Sequence, residues 1–276
     1  MPQAVASIEV YVRLGMFLGV LALVAMFESL APRRSRSVPR GTRWPSNLAL
    51  VALNSVLLRF GLPVSAVGVA VTAEAGGWGL FNVFSLPGWF VTIVAVLLLD
   101  LAIYAQHVAF HAVPVLWRLH RMHHADTDFD VTTGLRFHPI EILLSGVIKL
   151  AVVAALGAPP LAVVIFEVLL NATAMFNHGN LRLPPGLDRV LRLFVVTPDM
   201  HRVHHSVVRV ETDSNFGFNV PWLDRWFGTY RAQPESGHQG MTIGLDEFRD
   251  ARELRLDRML VQPFKSATRQ FGLDRA

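Results

Sequence analysis

The chain has 276 residues, of which 52% are hydrophobic and 17% charged, and its mean hydropathy is +0.41, a balance that excludes an ordinary soluble domain and predicts a membrane protein. It has no cysteines, which excludes disulfides, iron–sulfur clusters, thiolate metal sites and a cysteine nucleophile, so any metal must bind through nitrogen or oxygen. The net charge of +4 marks the cytoplasmic face of a membrane protein rather than a nucleic-acid partner.

The first predicted membrane helix lies at 12–31, where the sequence is apolar over the length that crosses the hydrocarbon. It lacks the basic start and the cleavage site of a secretory signal, so it is interpreted as a retained anchor. Five arginines follow it: Arg33, Arg34, Arg36, Arg40 and Arg43. The positive-inside rule places these arginines in the cytoplasm and the N-terminus outside.

Further apolar stretches predict the remaining spans. The second runs over 47–71, with a bend expected at Gly61 and Pro63, and the third over 87–111. The stretch 139–176 is long enough for two short helices joined by a Gly-Ala-Pro-Pro turn. Counting the crossings brings the C-terminal ends of the third span and of this hairpin to the cytoplasmic side, together with ten of the eleven histidines.

The histidines fall into groups with informative spacing: HVAFH at 107–111, HRMHH at 120–124, the single His138 and His178, and HRVHH at 201–205. On a helix, the first and third histidines of HxxHH share a face, while the middle one is rotated by about 100° and can reach a second metal. Two such segments facing each other predict a two-metal centre.

A structural role is the alternative for each group taken singly. HxxxH alone also describes polar residues at a membrane interface, and a single histidine such as His138 or His178 is more often a helix cap than a ligand. The duplicated HxxHH argues against that alternative and raises the expectation for the other histidines. His238 has no companion and is interpreted as a loop histidine.

Asp100 belongs to a polar stripe that is expected to face inward along the third span, with Tyr104, His107 and His111. An ion pair between Asp100 and Arg59 of the second span is an equally good explanation of its charge. Several carboxylates lie beside the histidine groups, where they either orient imidazole rings or belong to solvated loops: Asp126, Asp128, Asp130, Asp199 and Asp213.

The HxxxH segment and the two HxxHH segments, set on and between membrane spans, resemble the fatty acid hydroxylase/sterol desaturase superfamily of integral-membrane di-iron enzymes. The stretch DSNFGFNVPWLDRWFGTY at 213–230 resembles the C-terminal signature of that family, and the resemblance covers roughly 95–230. It implies that the catalytic metal ligands are His107, His111, His120, His123, His124, His201, His204 and His205. It places His138 and His178 where the family commonly supplies further imidazoles.

The resemblance also implies two iron ions and the oxygen-dependent attack on a C–H bond of a fatty-acyl or related lipid. All-imidazole ligands suit zinc, copper and nickel as well, so iron rests on the resemblance, and zinc is expected to substitute in vitro. The expected fold is all-α integral membrane, with about four to five transmembrane helices and a cytoplasmic helical cap that carries the dimetal site. No fused haem-binding domain is expected.

Three segments are expected. They are N-terminal anchor helices at 1–90, a fatty acid hydroxylase-like catalytic domain at 91–232, and a cytoplasmic C-terminal tail at 233–276. Within the tail, 245–264 is modestly amphipathic and is expected to lie against the membrane interface or the core of the cap. The predicted location is a bacterial inner membrane, with the histidine motifs on the cytoplasmic side.

Reducing power is expected from outside the chain, which has neither cysteines nor a GxGxxG dinucleotide motif. A separate ferredoxin or small haem protein with its reductase is the predicted electron carrier. It is expected to dock on a basic cytoplasmic surface formed by Arg118, Arg121, Arg182, Arg189, Arg192, Arg202 and Arg209. The arginines of 33–43 serve the positive-inside rule equally well.

Two other classes of protein collect histidines in membranes. A metal transporter or metal-binding protein would place its sites near the bilayer midplane, commonly between inverted repeats, whereas these groups lie at one face and no repeat is visible. A membrane protein with bis-histidine haem would leave HxxHH unexplained. Among enzymes, the alternative is a hydroxylase of a sterol, carotenoid or ether lipid, and the choice between hydroxylation and desaturation stays open.

Overall fold

The computed structural model describes residues 2–266, and their side chains from residue 11 onward. In this part of the chain the helices are α1 (Pro2–Leu30), α2 (Arg40–Gly61), α3 (Ala66–Gly76), α4 (Leu80–Val83), α5 (Gly88–Ala112), α6 (Pro114–His124), α7 (Pro139–Leu156), α8 (Pro160–Asn177), α9 (Pro185–Leu191), α10 (Pro198–His204), α11 (Arg209–Thr212), α12 (Trp222–Trp226), α13 (Gly237–Gly240) and α14 (Leu256–Val261). Three 3₁₀ turns lie at Thr133–Leu135, Ala251–Leu254 and Gln262–Phe264. The predicted all-α fold is confirmed.

Five segments of the described chain are long and apolar enough to cross a membrane: Tyr11–Leu30, Arg40–Val83, Gly88–Ala112, Pro139–Leu156 and Pro160–Asn177. The second of these is interrupted, because α2 ends at Gly61 and Ser65 caps the start of α3 by accepting a hydrogen bond from Gly68 N at 3.0 Å. The bend expected near Gly61 and Pro63 is therefore a break between two helices.

The predicted hairpin consists of α7 and α8. Gly157 ends α7 in the left-handed conformation, with φ of 58°, which is accessible to glycine without strain. Pro159 and Pro160 then start α8. The turn also contacts Gly79, where a Cβ atom would lie 2.3 Å from Gly157 N, so the backbones approach too closely for any side chain at residue 79.

A helical core joins α3, α5, α7 and α8. Small side chains of α3, including Ala66 and Ala70, lie against Leu99 of α5 and Val163 and Phe166 of α8. In a lipid environment, burial of apolar surface contributes little to the association of helices. Small residues let the helices approach closely, and the resulting van der Waals contacts stabilise the bundle instead. This bundle places the C-terminal ends of α5 and α8 side by side, next to the histidines.

The amphipathic segment 245–264 does not form one continuous helix. It contains a 3₁₀ turn at Ala251–Leu254, the six-residue α14 and a second 3₁₀ turn at Gln262–Phe264. The Asp250 side chain accepts from Arg252 N at 2.8 Å and starts a new short element, which interrupts any helix that began earlier. The tail lies against the core of the cap, since Met259 packs on Leu50 and Met122.

Candidate metal centre

Nine buried histidines converge in two groups, and within each group the candidate ligand atoms all lie within 4.8 Å of one another. The first group is His107, His111, His120, His124 and His204, and the second is His123, His178, His201 and His205. None of these residues is more than 7% exposed.

Each HxxHH segment contributes to both groups. On α6, His120 and His124 belong to the first group and the intervening His123 to the second. The assignment is reversed at the other segment, where the outer histidines 201 and 205 belong to the second group and His204 to the first. Rotation by about 100° per residue produces this division, and it interlocks the two groups.

Short, well-capped helices place these segments. α6 begins at Pro114. Proline suits the first helical position, because it has no N–H and an N–H there would have no partner inside the helix. α10 also begins with a proline, Pro198, and the Thr197 side chain accepts from Met200 N at its N-terminus. His107 and His111 project from the last two turns of α5.

Backbone carbonyls orient two rings of the first group. His107 Nδ1 lies 2.7 Å from Phe216 O, and His204 Nδ1 lies 2.7 Å from Ser214 O. Because a carbonyl only accepts, each Nδ1 carries the proton and donates it, which leaves the Nε2 lone pair free for a metal. The residue between the two carbonyls, Asn215, has φ of 52°, and its Nδ2 donates to Met200 O at 2.9 Å.

Carboxylates orient two further rings of this group. His120 Nδ1 donates to Glu141 Oε1 at 2.7 Å, and His111 Nδ1 lies 3.3 Å from Asp213 Oδ1. A carboxylate partner fixes the ring and raises the basicity of the opposite nitrogen. Asp213 therefore has the orienting role considered for it, while Glu141 was not singled out from the sequence.

Three of the five inward-facing nitrogens of the first group lack partners among the described residues, and the other two, His107 Nε2 and His120 Nε2, lie 3.1 Å from each other. Among the residues described, Nε2 of His111, His124 and His204 is buried and forms no hydrogen bond. A buried polar atom without a partner costs about 1–3 kcal/mol, and three such atoms facing one another are rare in native proteins. A bound cation would satisfy all three.

In the second group, four Nε2 atoms crowd together. His178 Nδ1 donates to Ala174 O at 2.7 Å, so His178 Nε2 is a bare acceptor, yet it lies 3.2 Å from His123 Nε2 and 3.1 Å from the Nε2 atoms of His201 and His205. One lone pair cannot accept from three donors. Imidazoles around a metal at about 2.0–2.1 Å have adjacent nitrogens roughly 3–3.4 Å apart, which matches these spacings.

Burial also keeps these rings neutral. It lowers the pKa of His178 and of His204 to about 3 and the pKa of His123, His201 and His205 well below the usual value, and repulsion between neighbouring imidazoles acts in the same direction. The neutral ring is the form that binds a metal. The donor set, its spacing and its unpaired nitrogens thus fit two metal ions that prefer nitrogen ligands.

His138 lies outside both groups. Its Nδ1 accepts from Ile140 N at 3.2 Å, which caps α7, and its Nε2 donates to Leu260 O at 3.2 Å. The capping role considered for a single histidine therefore applies to His138, whereas His178 joins the second group. His238 is not in an open loop, because it is 4% exposed and its Nε2 lies 3.5 Å from Asp199.

A buried charge network holds the loop that follows α6. Arg43 Nε and Nη2 donate to the two oxygens of Asp126 at 2.7 and 2.6 Å, and Arg43 Nη1 donates to Asp130 at 2.6 Å. Burial alone would raise the pKa of Asp126, but the guanidinium groups of Arg43 and Arg136 outweigh it and hold that pKa at about 2. The solvated-loop interpretation is therefore wrong for these aspartates.

The polar stripe of α5 is buried as expected, but Asp100 does not pair with Arg59. Asp100 Oδ1 accepts from Asn219 Nδ2 at 2.8 Å, and Arg59 is exposed. The stripe thus ties α5 to the segment 213–230, which also supplies the carbonyls that orient His107 and His204. This explains in physical terms why that stretch accompanies the histidine motifs.

The basic surface is smaller than the sequence suggested. Arg121 donates to Gln262 O and Lys265 O, Arg202 pairs with Asp199, and Arg192 pairs with Asp188; all three arginines are buried. These arginines hold the cap together and are not available to a partner. Exposed positions remain at Arg118, Arg182 and Arg189.

An apolar cavity of about 250 Å³ opens beside the first group and is lined by His107 and His120. Aromatic rings, including Phe110, Phe137 and Phe218, form part of its wall. A second cavity of about 400 Å³ shares four lining residues with it: Phe17, Val51, Ser55 and Asn171. The two cavities together extend from the histidines into the membrane-spanning bundle.

Comparison with known proteins adds a family and several relatives. The model of the fatty acid hydroxylase family matches residues 92–229. The chain is 25% identical over 223 residues to an ornithine lipid hydroxylase of Rhizobium tropici, covering 79% of this chain and 66% of that protein. It is 27% identical over 184 residues to human alkylglycerol monooxygenase, covering 62% of this chain and 38% of that protein.

A rat cholesterol 25-hydroxylase is 26% identical over 146 residues, covering 52% of this chain and 48% of that protein. The chain thus spans less than two thirds of the length of each of these curated relatives. No solved structure matches significantly.

Proposed function

The chain belongs to the fatty acid hydroxylase family, and from this premise we propose that it is a membrane-bound, dioxygen-dependent lipid hydroxylase with two iron ions. The observation that carries the proposal is the convergence of nine buried histidines in two interlocked groups at the end of an apolar cavity. One ion would bind to each group, and zinc would occupy the same positions in vitro.

When bound, the iron pair supplies the oxidation of an unactivated C–H bond by dioxygen. The protein holds the ligands in register through the carbonyls of Ser214 and Phe216 and the carboxylates of Glu141 and Asp213. Such partners keep the Nε2 lone pairs pointed inward before any metal arrives, so little rearrangement accompanies binding.

The cavity would hold the substrate against the first group of histidines. Its walls are mostly apolar, and those formed by Phe137 and Phe218 lie next to the ligands: the Phe137 ring stacks on His123 at 4.5 Å and 11°, and Phe218 lies 5.0 Å from His107. Such walls bind an alkyl chain and exclude water from the reacting carbon. The named activities of the relatives favour hydroxylation over desaturation.

The proposed orientation places the histidines and the C-terminal tail in the cytoplasm of a bacterial cell, with the chain in the inner membrane. Arg33 Nε donates to Asp199 at 3.0 Å, so the arginine-rich loop after α1 lies at the same end of the bundle as the histidines. The positive-inside rule assigns that end to the cytoplasm.

Hydroxylation consumes two electrons per turnover, and a chain without cysteine has no iron–sulfur centre of its own. We propose that a ferredoxin or a small haem protein with its reductase delivers them at the cytoplasmic end. Exposed Arg118, Arg182 and Arg189 would attract an acidic carrier.

The decisive experiment uses isotopically labelled dioxygen. Membranes that contain the protein are incubated with a lipid extract, a carrier, its reductase and ¹⁸O₂, and the lipids are analysed by mass spectrometry. A hydroxylated lipid that carries one ¹⁸O atom is expected, and it should be absent with His204→Ala. Turnover that continues in His204→Ala, or label that enters from water, would contradict the proposal.

A further inference from the structure

Large apolar side chains are exposed on the cap, outside the five candidate membrane spans. They form an apolar patch, each between 47% and 73% exposed: Leu187, Val190, Leu193, Phe194, Trp226 and Phe227. Two hydrogen bonds join its halves, from Trp222 Nε1 to Leu193 O at 2.6 Å and from Arg225 Nη2 to Arg192 O at 2.7 Å. A surface that faces water rarely carries so many large apolar residues together, so the patch indicates a partner.

The first half of the patch is one side of an amphipathic helix. A hydrogen bond from Val195 N to Leu191 O at 2.8 Å continues the helical spacing beyond the end of α9. Apolar residues at intervals of three and four therefore share one side: Leu187, Val190 and Phe194. On the opposite side, Arg192 pairs with Asp188 at 2.6 Å. A short helix with these two sides is typical of one that lies in the plane of a membrane surface.

The second half of the patch lies beside a membrane span. The Phe227 ring stacks on Tyr104 of α5 at 5.4 Å and 22°. Trp89 is exposed at the start of α5, as expected of an aromatic residue at the opposite interface. Because about 20 residues of helix cross the hydrocarbon, a span that begins there extends beyond Tyr104. Phe227 is therefore level with the acyl chains and not above the membrane.

The other edge of the patch begins at α1. Arg182 N donates to Ala31 O at 2.9 Å, and Pro32 and Leu181 form a backbone bridge. α1 is apolar and exposed as far as its last residue, Leu30, which is 72% exposed. The segment that leads into α9 thus leaves α1 at the level where its lipid-facing surface ends.

A second copy of the chain or a soluble protein could also cover an apolar patch. Neither occupant explains why the patch continues the lipid-facing surfaces of α1 and α5 at its two edges. Tryptophan is enriched where membranes meet water, and Trp226 lies beside Trp222, with 6.4 Å between the ring centroids. Position and composition both favour the lipid bilayer as the partner.

We propose that the apolar patch is inserted into the membrane leaflet nearest to the histidines, where it contacts phospholipid acyl chains. The charged side of α9 then lies at the level of the lipid head groups. The stretch 213–230, which includes Trp226 and Phe227, also supplies the carbonyls that orient His107 and His204, so the leaflet supports the candidate metal centre. The inference does not depend on the proposed hydroxylase activity.

Spin labels test the depth of the patch, since the chain has no cysteine that would compete for the label. Val190→Cys and Trp226→Cys are labelled singly in liposomes of phosphatidylcholine and phosphatidylglycerol. Power saturation measures collisions with oxygen, which concentrates in hydrocarbon, and with a water-soluble nickel chelate. The ratio of oxygen to nickel collisions should be severalfold higher at both positions than in Arg252→Cys, an exposed site of the cap. Leu97→Cys, exposed on α5, supplies the lipid reference.

Arg189→Cys is the matched control. Arg189 is exposed on the same short helix and is turned by about 100° from Val190, toward the charged side. Its label should give a lower ratio of oxygen to nickel collisions than the label at Val190. Thermal unfolding of each variant shows whether it is folded.

Nickel collisions at Val190 and Trp226 as frequent as those at Arg252 would show that the patch faces water, and would overturn the inference. Labels shielded from both reagents would show that protein covers the patch, and would overturn it as well. Deep labels in a chain that never incorporates oxygen would support the inference and contradict the proposed hydroxylase activity, so the two failures are distinguishable.

Discussion

Glu141 and His120 form a buried carboxylate–imidazole pair: the two side chains are 2.7 Å apart, and neither residue is more than 3% exposed. The pair joins the first turn of α7 to the HxxHH segment of α6. A carboxylate in this position sets which nitrogen of the ring faces the metal.

Replacement of Glu141 should therefore weaken metal binding. Glu141→Ala is expected to lower the affinity of the first histidine group by roughly 10- to 100-fold, and Glu141→Gln, which keeps an acceptor without the charge, by less. Competition with a chelator, followed by metal analysis, measures the effect. Asp257→Asn removes an exposed carboxylate and should change nothing. Unaltered affinity in Glu141→Ala would contradict the orienting role.

The His138→Ala variant should show whether His138 caps a helix or binds a metal. Because His138 caps α7 and lies outside both groups, its loss should lower the free energy of unfolding by about 1 kcal/mol and leave two metal ions bound per chain. His205→Ala, by contrast, leaves three ligands in the second group and should reduce metal content. Metal analysis and thermal unfolding distinguish the cases, and loss of an ion in His138→Ala would make His138 a ligand after all.

Arg43→Met should be strongly destabilising. It leaves Asp130 buried without its guanidinium partner and leaves Asp126 with only the more distant Arg136, at 3.8 Å, and breaking such a buried pair costs about 3–5 kcal/mol. Arg43→Lys should rescue little, since an ammonium cannot bridge both oxygens of Asp126 and also reach Asp130. Thermal unfolding measures both variants. Arg252→Ala breaks an exposed pair with Asp250 and should have little effect; equal losses for the buried and exposed pairs would contradict the assignment.

Electron delivery should depend on exposed arginines. Arg182→Ala and Arg189→Ala are expected to slow reduction by an acidic carrier, and rising ionic strength should slow the wild-type chain in the same way. Stopped-flow reduction at several salt concentrations measures both effects. Steady turnover of the purified chain with NAD(P)H and no carrier would contradict the need for a partner.

The spacing of apolar residues and histidines along the sequence was sufficient to predict much of the architecture. Apolar stretches gave the positions of the five candidate spans, and the register of HxxHH anticipated that His123 and His204 would face a different way from their neighbours. Both results follow from helical geometry, which is local in sequence. The break after Gly61 and the turn at Gly157 were also marked by local residues, namely glycine and proline.

Contacts between residues that are distant in the sequence could not be predicted. Glu141 lies 21 residues from His120, and its side chain could not be assigned to that ring before the hairpin was placed. The carbonyls of Ser214 and Phe216 are invisible to any motif, because every residue has one. Counting arginines also failed as a guide to the surface: Arg121 and Arg202 are buried among partners from distant parts of the chain.

Asn215, with its left-handed backbone, turns the carbonyls of its two neighbours toward His204 and His107. Two of the proposed metal ligands thus depend on the path of the main chain at a single residue. The backbone conformation restricts residue 215 to asparagine, glycine or aspartate. Residue 216 is restricted by its side chain instead, because the buried Phe216 ring packs against Tyr104 and His107. A deep mutational scan scored by metal content would reveal different tolerated residues at these two neighbouring positions: small or polar ones at 215 and large apolar ones at 216.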